Sequence, residues 1–248
     1  MVAPPDNAPP DDDVLWARSL HYSHGGSPGL IGVCAGVRQG EILAVTGPRG
    51  SGKTTLLRCL AGRLVPDQGE VWFNSAPVHT LGALARERLF RDRFAWIGPE
   101  PQLLPELKVW ENAALPLLIA GAPHRAARAA AHEWLDRLDI GAFAGKRPGV
   151  LNRAECQRVA LARALVGEPA VLFADEPTAP LHRADRALLL RTLTTAARSH
   201  AITVVLATHD EETATAADRS LALTDGRPAA SAASPRTTED QAACSLSA

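Results

Sequence analysis

The sequence predicts an α/β fold organised around a mainly parallel sheet, and three stretches carry that prediction. Glu41 to Val45 is a short apolar run that opens into a glycine-rich stretch and then an apolar-periodic segment, Leu56, Leu57 and Leu60, ending at Gly62. Ala170 to Ala174 and Ile202 to Ala207 are two further apolar runs of strand length, separated by a helical pattern from Arg186 to Ser199. Unbroken apolar runs of this length are what strands buried on both faces look like, and their alternation with helices implies parallel order.

The other elements follow from either end. Ala3 to Asp13 mixes proline with the run Asp11-Asp12-Asp13, and Pro228 to Ala248 is mostly Ala, Ser and Thr, so residues 1–13 and 228–248 are expected to be disordered tails around one domain, 14–227. Gly69-Glu70 opens Val71-Trp72-Phe73, expected as a strand of an antiparallel edge sheet. From about Leu84 to Gly167 leucines recur at i, i+3 and i+4 among many Ala and Arg residues, which reads as a helical insertion of about 84–167.

Composition narrows the function classes. The 248 residues are 46% apolar, ample for a buried core. No stretch approaches the roughly 18–20 apolar residues that span a bilayer, so neither a signal peptide nor a membrane anchor is expected. With 26 basic and 27 acidic residues the formal charge is −1, which gives no overall electrostatic reason to bind nucleic acid. Cys34, Cys59, Cys156 and Cys244 have no metal-ligand spacing and are expected as small hydrophobes in a reducing compartment.

The chemistry sits at two strand ends. Gly47-Pro48-Arg49-Gly50-Ser51-Gly52-Lys53-Thr54 matches G-x-x-x-x-G-K-[ST] in the context the motif requires, after a strand and before a helix. Its glycines let successive N–H groups face phosphates, and the helix N-terminus adds a positive dipole end. Lys53 is expected on the β and γ phosphates of ATP, Thr54 on Mg²⁺, and Thr55 on phosphate as a further contact. At the second end, Val171 to Ala174 delivers Asp175 and Glu176, where ligands of open α/β sheets bind. Asp175 is placed for the Mg²⁺ shell and Glu176 as the general base that polarises water; the pair also suits a helix start at Pro177.

With these motifs placed, Ala174-Asp175-Glu176-Pro177-Thr178 resembles the Walker B run of ABC ATPases, and Gln157 to Leu165 resembles the helix after their signature. The resemblance runs from about Val14 to Gly226. Leu103-Leu104-Pro105 with Glu111 to Leu118 is most similar to the lipoprotein-releasing and macrolide-exporting group. It implies a P-loop NTPase with a RecA-like core, an antiparallel β subdomain and a helical subdomain. It also implies an ATP-hydrolysing subunit that dimerises with a second ATP-binding subunit and drives a separate membrane permease, peripheral on the cytoplasmic face of the cell membrane. Ala207-Thr208-His209-Asp210 is similar to the switch segment, which implies that His209 contacts the γ phosphate. Tyr22 stands where the family stacks adenine, with Trp16 and His24 as rivals and a plain core role as the alternative.

Against that family, four positions depart. Pro99 stands where the Q-loop glutamine is expected, has no side-chain ligand and fixes φ; Gln102 is displaced too far to replace it. The signature reads Leu151-Asn152-Arg153-Ala154-Glu155, in which Asn152 and Glu155 keep a capping box while Arg153 and Ala154 replace glycines. His182 stands where the D-loop has Asp. A transport ATPase with one strong and one weak composite site is the first reading, and an ATP-binding regulatory or scaffold module with vestigial hydrolysis is the second. A DNA-repair ATPase would need long coiled-coil heptads, and none is present.

Overall fold

The computed structural model describes residues 13–229, so most of both expected tails lies outside the described residues. Those residues fall into two compact units, one reaching to Phe90 and resuming at Val205, the other Arg91–Val204.

In the first unit, β1 (Asp13–His24) and β2 (Ser27–Arg38) form a hairpin turned at Gly25 and Gly26, both at positive φ. β4 (Gln68–Phe73) pairs with the other edge of β1 and β5 (Ala76–Pro77) with β4, giving an antiparallel sheet in the order β2-β1-β4-β5. β3 (Ile42–Thr46) runs parallel to β9 (Arg219–Thr224), with Leu43 opposite Arg219 and Thr46 opposite Ala222; β10 (Arg227–Pro228) turns back on β9. α1 (Lys53–Leu60) packs on the hairpin, and Leu56, Leu57 and Leu60 are fully buried with Leu15, Leu20 and Val33. α2 (Ala83–Arg93) crosses the boundary between the units and buries none of its residues.

In the second unit, β6 (Phe94–Ile97) runs parallel to β7 (Val171–Asp175), Phe94 opposite Val171 and Ile97 opposite Ala174. The Phe173 ring is fully buried, edge-on to Phe94 at 5.4 Å and stacked on Trp96 at 6.0 Å. α3 (Val109–Ile119), α4 (His124–Arg137) and α5 (Arg153–Leu165) pack on one another, and α6 (Arg183–Ser199) packs on α5. α6 buries Leu189, Leu193 and Ala197, a stripe at i, i+4 and i+8. Asn112 is fully buried on α3; its Oδ1 accepts from Leu104 N, and its Nδ2 donates to the carbonyls of Leu104, Leu107 and Lys108, tying down the turn before the helix. β8 (Thr203–Thr208), buried throughout, begins in the second unit and ends in the first, where α7 (Glu211–Ala214) follows.

The three apolar runs are β3, β7 and β8. β6 lies inside the stretch read as helical; it is only four residues long and follows α2 without a break. β1 and β2 escape a period-two reading because the pairing shifts register at four places along β1. Cys59 is buried and free, and Cys156 is free and half-buried, as expected, while Cys244 lies outside the described residues.

Candidate functional site

The phosphate loop is built in the first unit, between β3 and α1. Gly47 sits at φ +142°, where a Cβ would collide with the Leu223 carbonyl, and Gly52 at φ +99°, where a Cβ would lie 2.6 Å from Gly29 O. Both positions demand glycine. Gly52 is also the N-cap of α1, so the helix starts without a side-chain cap and with no acidic residue in its first turn. An uncapped helix N-terminus presents N–H donors and the positive dipole end to an anion.

Lys53 opens that helix and is only 5% exposed. Its ammonium donates to Gly47 O at 2.8 Å and Pro48 O at 2.9 Å, so it closes the loop from inside. Ser51 is buried, and its Oγ has no protein partner, an orphaned hydroxyl at the mouth of the helix. The Ser51 carbonyl accepts from Gly226 N at 3.1 Å, and Gly226 O accepts from Ile31 N at 2.7 Å, so the β9–β10 turn buttresses the loop from behind. Thr55 Oγ1 lies 3.3 Å from His24 Nε2, and the His24 ring stands edge-on to Tyr22 at 4.8 Å. Tyr22 and His24 thus form a small aromatic wall beside the loop, while Trp16 pairs along β1 with Trp72. Arg49 and Gly50 are exposed at the loop's crest, and Thr54 is half-buried.

His209 is exposed directly after β8, between residues that are fixed: Asp210 N donates to Thr208 Oγ1 at 3.0 Å, and Thr213 Oγ1 donates to Asp210 Oδ2 at 2.7 Å. In the second unit, Asp175 ends β7 at 7% exposure, and Glu176 follows at φ +51°, left-handed for a non-glycine residue. A strained backbone of this kind persists only where its surroundings hold it. Here the Glu176 carbonyl accepts from Ala179 N at 3.2 Å, and the next carbonyl, Pro177 O, accepts from Gln157 Nε2 at 2.8 Å.

Gln157 is a residue the sequence reading passed over. It is fully buried on α5 and donates from the same nitrogen to Gly98 O at 2.7 Å. A lone amide among Val159, Ala160, Leu161 and Ala162 is the signal that marks it. The expected capping box is present: Asn152 Oδ1 accepts from Glu155 N at 2.9 Å and Glu155 Oε2 from Asn152 N at 2.8 Å. Arg153 is exposed and pairs with Glu100 at 3.2 Å, Pro99 is exposed, and His182 caps α6 in an extended conformation.

A triphosphate fits the loop, which brings a buried ammonium, an orphaned hydroxyl and a helix start without a side-chain cap together at one mouth. Among the described residues no three His, Cys, Asp or Glu side chains cluster to hold a metal. Thr54 is half-buried in the first turn of α1, and a hydroxyl oxygen there is of the kind Mg²⁺ takes, since that ion binds one or two protein oxygens and completes its shell with phosphates and water. Among the described residues no helix is long and apolar enough to cross a membrane.

An α/β core with a phosphate loop of this build defines a P-loop nucleotide-binding domain, and comparison with known proteins narrows the class. The family model described as ABC transporter matches residues 31–179. The chain is 37% identical over 219 residues to the lipoprotein-releasing system ATP-binding protein LolD 2 of Caulobacter vibrioides, covering 87% of this chain and 96% of that protein. It is 38% identical over 222 residues to YbbA of Escherichia coli, described as an uncharacterized ABC transporter ATP-binding protein, covering 88% and 97%. Among solved structures, a dimeric ATP-binding cassette in a post-hydrolysis state with ADP and Pi matches with a TM-score of 0.79 at 28% identity, covering 86% of this chain and 96% of that one. The chain belongs to the ABC transporter family, as one of its ATP-binding cassettes.

Proposed function

We propose that the chain is the ATP-hydrolysing subunit of an ABC transporter, peripheral on the cytoplasmic face of the membrane, which dimerises around ATP and drives a separate permease. The observation that carries this reading is Lys53, buried at the uncapped start of α1 with its ammonium folded onto Gly47 O and Pro48 O. Gly47 to Gly52 wrap the phosphates with backbone N–H groups, Lys53 supplies the cation, Thr55 adds a hydroxyl, and Tyr22 offers its face to adenine. Mg²⁺, held by Thr54 and Asp175 through the nucleotide, would supply charge neutralisation at the transferring phosphoryl group. Glu176 takes the proton of the attacking water, and His209 contacts the γ phosphate. The strained backbone at Glu176 supports its part, since strain is kept where a carboxylate must be aimed.

In the dimer, each nucleotide lies between one subunit's phosphate loop and the other's signature segment. This chain then offers a well-built loop and an altered signature at Asn152 to Glu155, so a homodimer turns over slowly, and a partner cassette with glycines there raises the rate. Calorimetry and single-turnover hydrolysis on three proteins test the reading. Lys53→Ala loses at least one charge-assisted contact and weakens ATP binding about 10- to 150-fold. Glu176→Gln keeps ATP affinity and lowers single-turnover hydrolysis about 10²- to 10⁴-fold. Equal affinity for the wild type and the Lys53 variant would remove the loop from the site, and unchanged hydrolysis in the Glu176 variant would move the base elsewhere.

A further inference from the structure

The loop after β6, Gly98-Pro99-Glu100-Pro101-Gln102, is held by one helix at nearly every residue. Gln157 Nε2 donates to Gly98 O at 2.7 Å, Arg153 Nη2 pairs with Glu100 Oε1 at 3.2 Å, and Arg163 donates from Nη2 to Pro101 O at 2.7 Å and from Nη1 to Gln102 O at 3.0 Å. All three donors lie on α5. Two prolines in five residues remove much of the loop's own backbone freedom, so these four contacts make it a rigid extension of that helix.

The same helix grips the carboxylate end of β7. Gln157 Nε2 also donates to Pro177 O at 2.8 Å, directly after the left-handed Glu176. Two carbonyl oxygens face this one nitrogen, which fixes the amide's orientation, because a flipped amide would set oxygen against oxygen. Its Oε1 is buried with no partner, so the residue is kept for its donor end although the acceptor end goes unsatisfied. Position 99, where the family resemblance places the Q-loop glutamine, holds proline.

We propose that Gln157 is a positioning residue that carries the state of the Asp175–Glu176 strand end to residues 98–102 through α5, in place of a side-chain ligand at position 99. A displacement of Pro177 on nucleotide binding is handed by a single planar amide to Gly98, and Arg153 and Arg163 make the rest of the loop follow. Burial holds the Arg163 guanidinium below its usual range, a penalty its two carbonyl contacts offset. The inference rests on the proposed ATP site and concerns how that site is read out.

The test is hydrogen exchange on the full chain with and without Mg-ATP, following peptides that cover residues 98–104 and 176–181, with calorimetry on the same samples. In the wild type, ATP changes exchange in both peptides. In Gln157→Met, which keeps length and apolar bulk but donates nothing, ATP affinity stays within about threefold, the response of 176–181 persists, and that of 98–104 shrinks at least fivefold. In Arg163→Met, the response survives at Gly98 and Glu100 and is lost at Gln102. A purely structural role would instead loosen both segments before ATP is added and leave their responses linked. A wild-type loop indifferent to ATP that calorimetry shows to be bound, or a Gln157→Met loop that responds like the wild type, overturns the proposal while leaving the nucleotide site standing. Absence of ATP binding to the wild type takes both readings down together.

Discussion

Replacing Asn152, Arg153 and Ala154 by Ser, Gly and Gly sets stability against turnover at the start of α5, and the structure says which effect is larger. Serine keeps the cap that Asn152 makes to Glu155 N. Two glycines in the first turn cost up to about 1 kcal/mol each. The Arg153–Glu100 pair that is lost has both side chains more than half exposed, so it contributes about 0–1 kcal/mol. The variant is therefore about 1–3 kcal/mol less stable, a fall in Tm of about 2–4 °C per kcal/mol at this size. On the other side, glycines allow two backbone contacts to a phosphate on a second subunit, each worth about 1.5–3 kcal/mol, which raises turnover about 10²- to 10⁴-fold. Steady-state hydrolysis at saturating Mg-ATP, with thermal unfolding on the same preparations, reads both terms. Equal turnover in two folded proteins would mean the altered signature costs nothing, and the argument for one strong and one weak site would lose its premise.

Burial, reinforced by Asp67, pushes the Cys59 thiol up to about 12, so the folded protein holds a proton that the unfolded chain releases above about pH 9. Stability should accordingly fall as pH rises from about 9 to 12, and Cys59→Ala should flatten that slope; parallel urea-denaturation slopes for the two proteins across this window would refute the assignment. Asn112→Ala removes four backbone contacts at a fully buried site and should cost about 2–4 kcal/mol. A loss under about 0.5 kcal/mol by the same measurement would show that water satisfies the turn.

Residues whose chemistry is local were legible in the sequence. The phosphate loop, the Asp175-Glu176 strand end and the Asn152 to Glu155 capping box depend on neighbours within a few positions, and each is present with the geometry its spacing implied. What escaped depends on pairing between distant segments. The β1–β2 hairpin is bulged at Leu20 and Tyr22, so its inward and outward faces do not alternate in the sequence. Gln157 reads as one polar residue in a helix until folding brings Gly98 and Pro177 to its nitrogen, 59 and 20 residues away. Arg153 stands at a position that departs from the family pattern, and only the fold shows that it meets Glu100, 53 residues away.

The turn behind the phosphate loop bears on how the protein is made. Ser51 O is met by Gly226 N, and the Leu223 carbonyl fills the space behind Gly47, so the loop's rear wall is laid down about 175 residues after the loop itself. At ~5–20 residues per second the ribosome needs about 9–35 s to travel that distance. Throughout that interval the nascent chain carries every residue of the phosphate loop without the buttress that sets its shape. The complete rear wall of the phosphate loop is thus available only to a chain in which residues 223–226 have already been made.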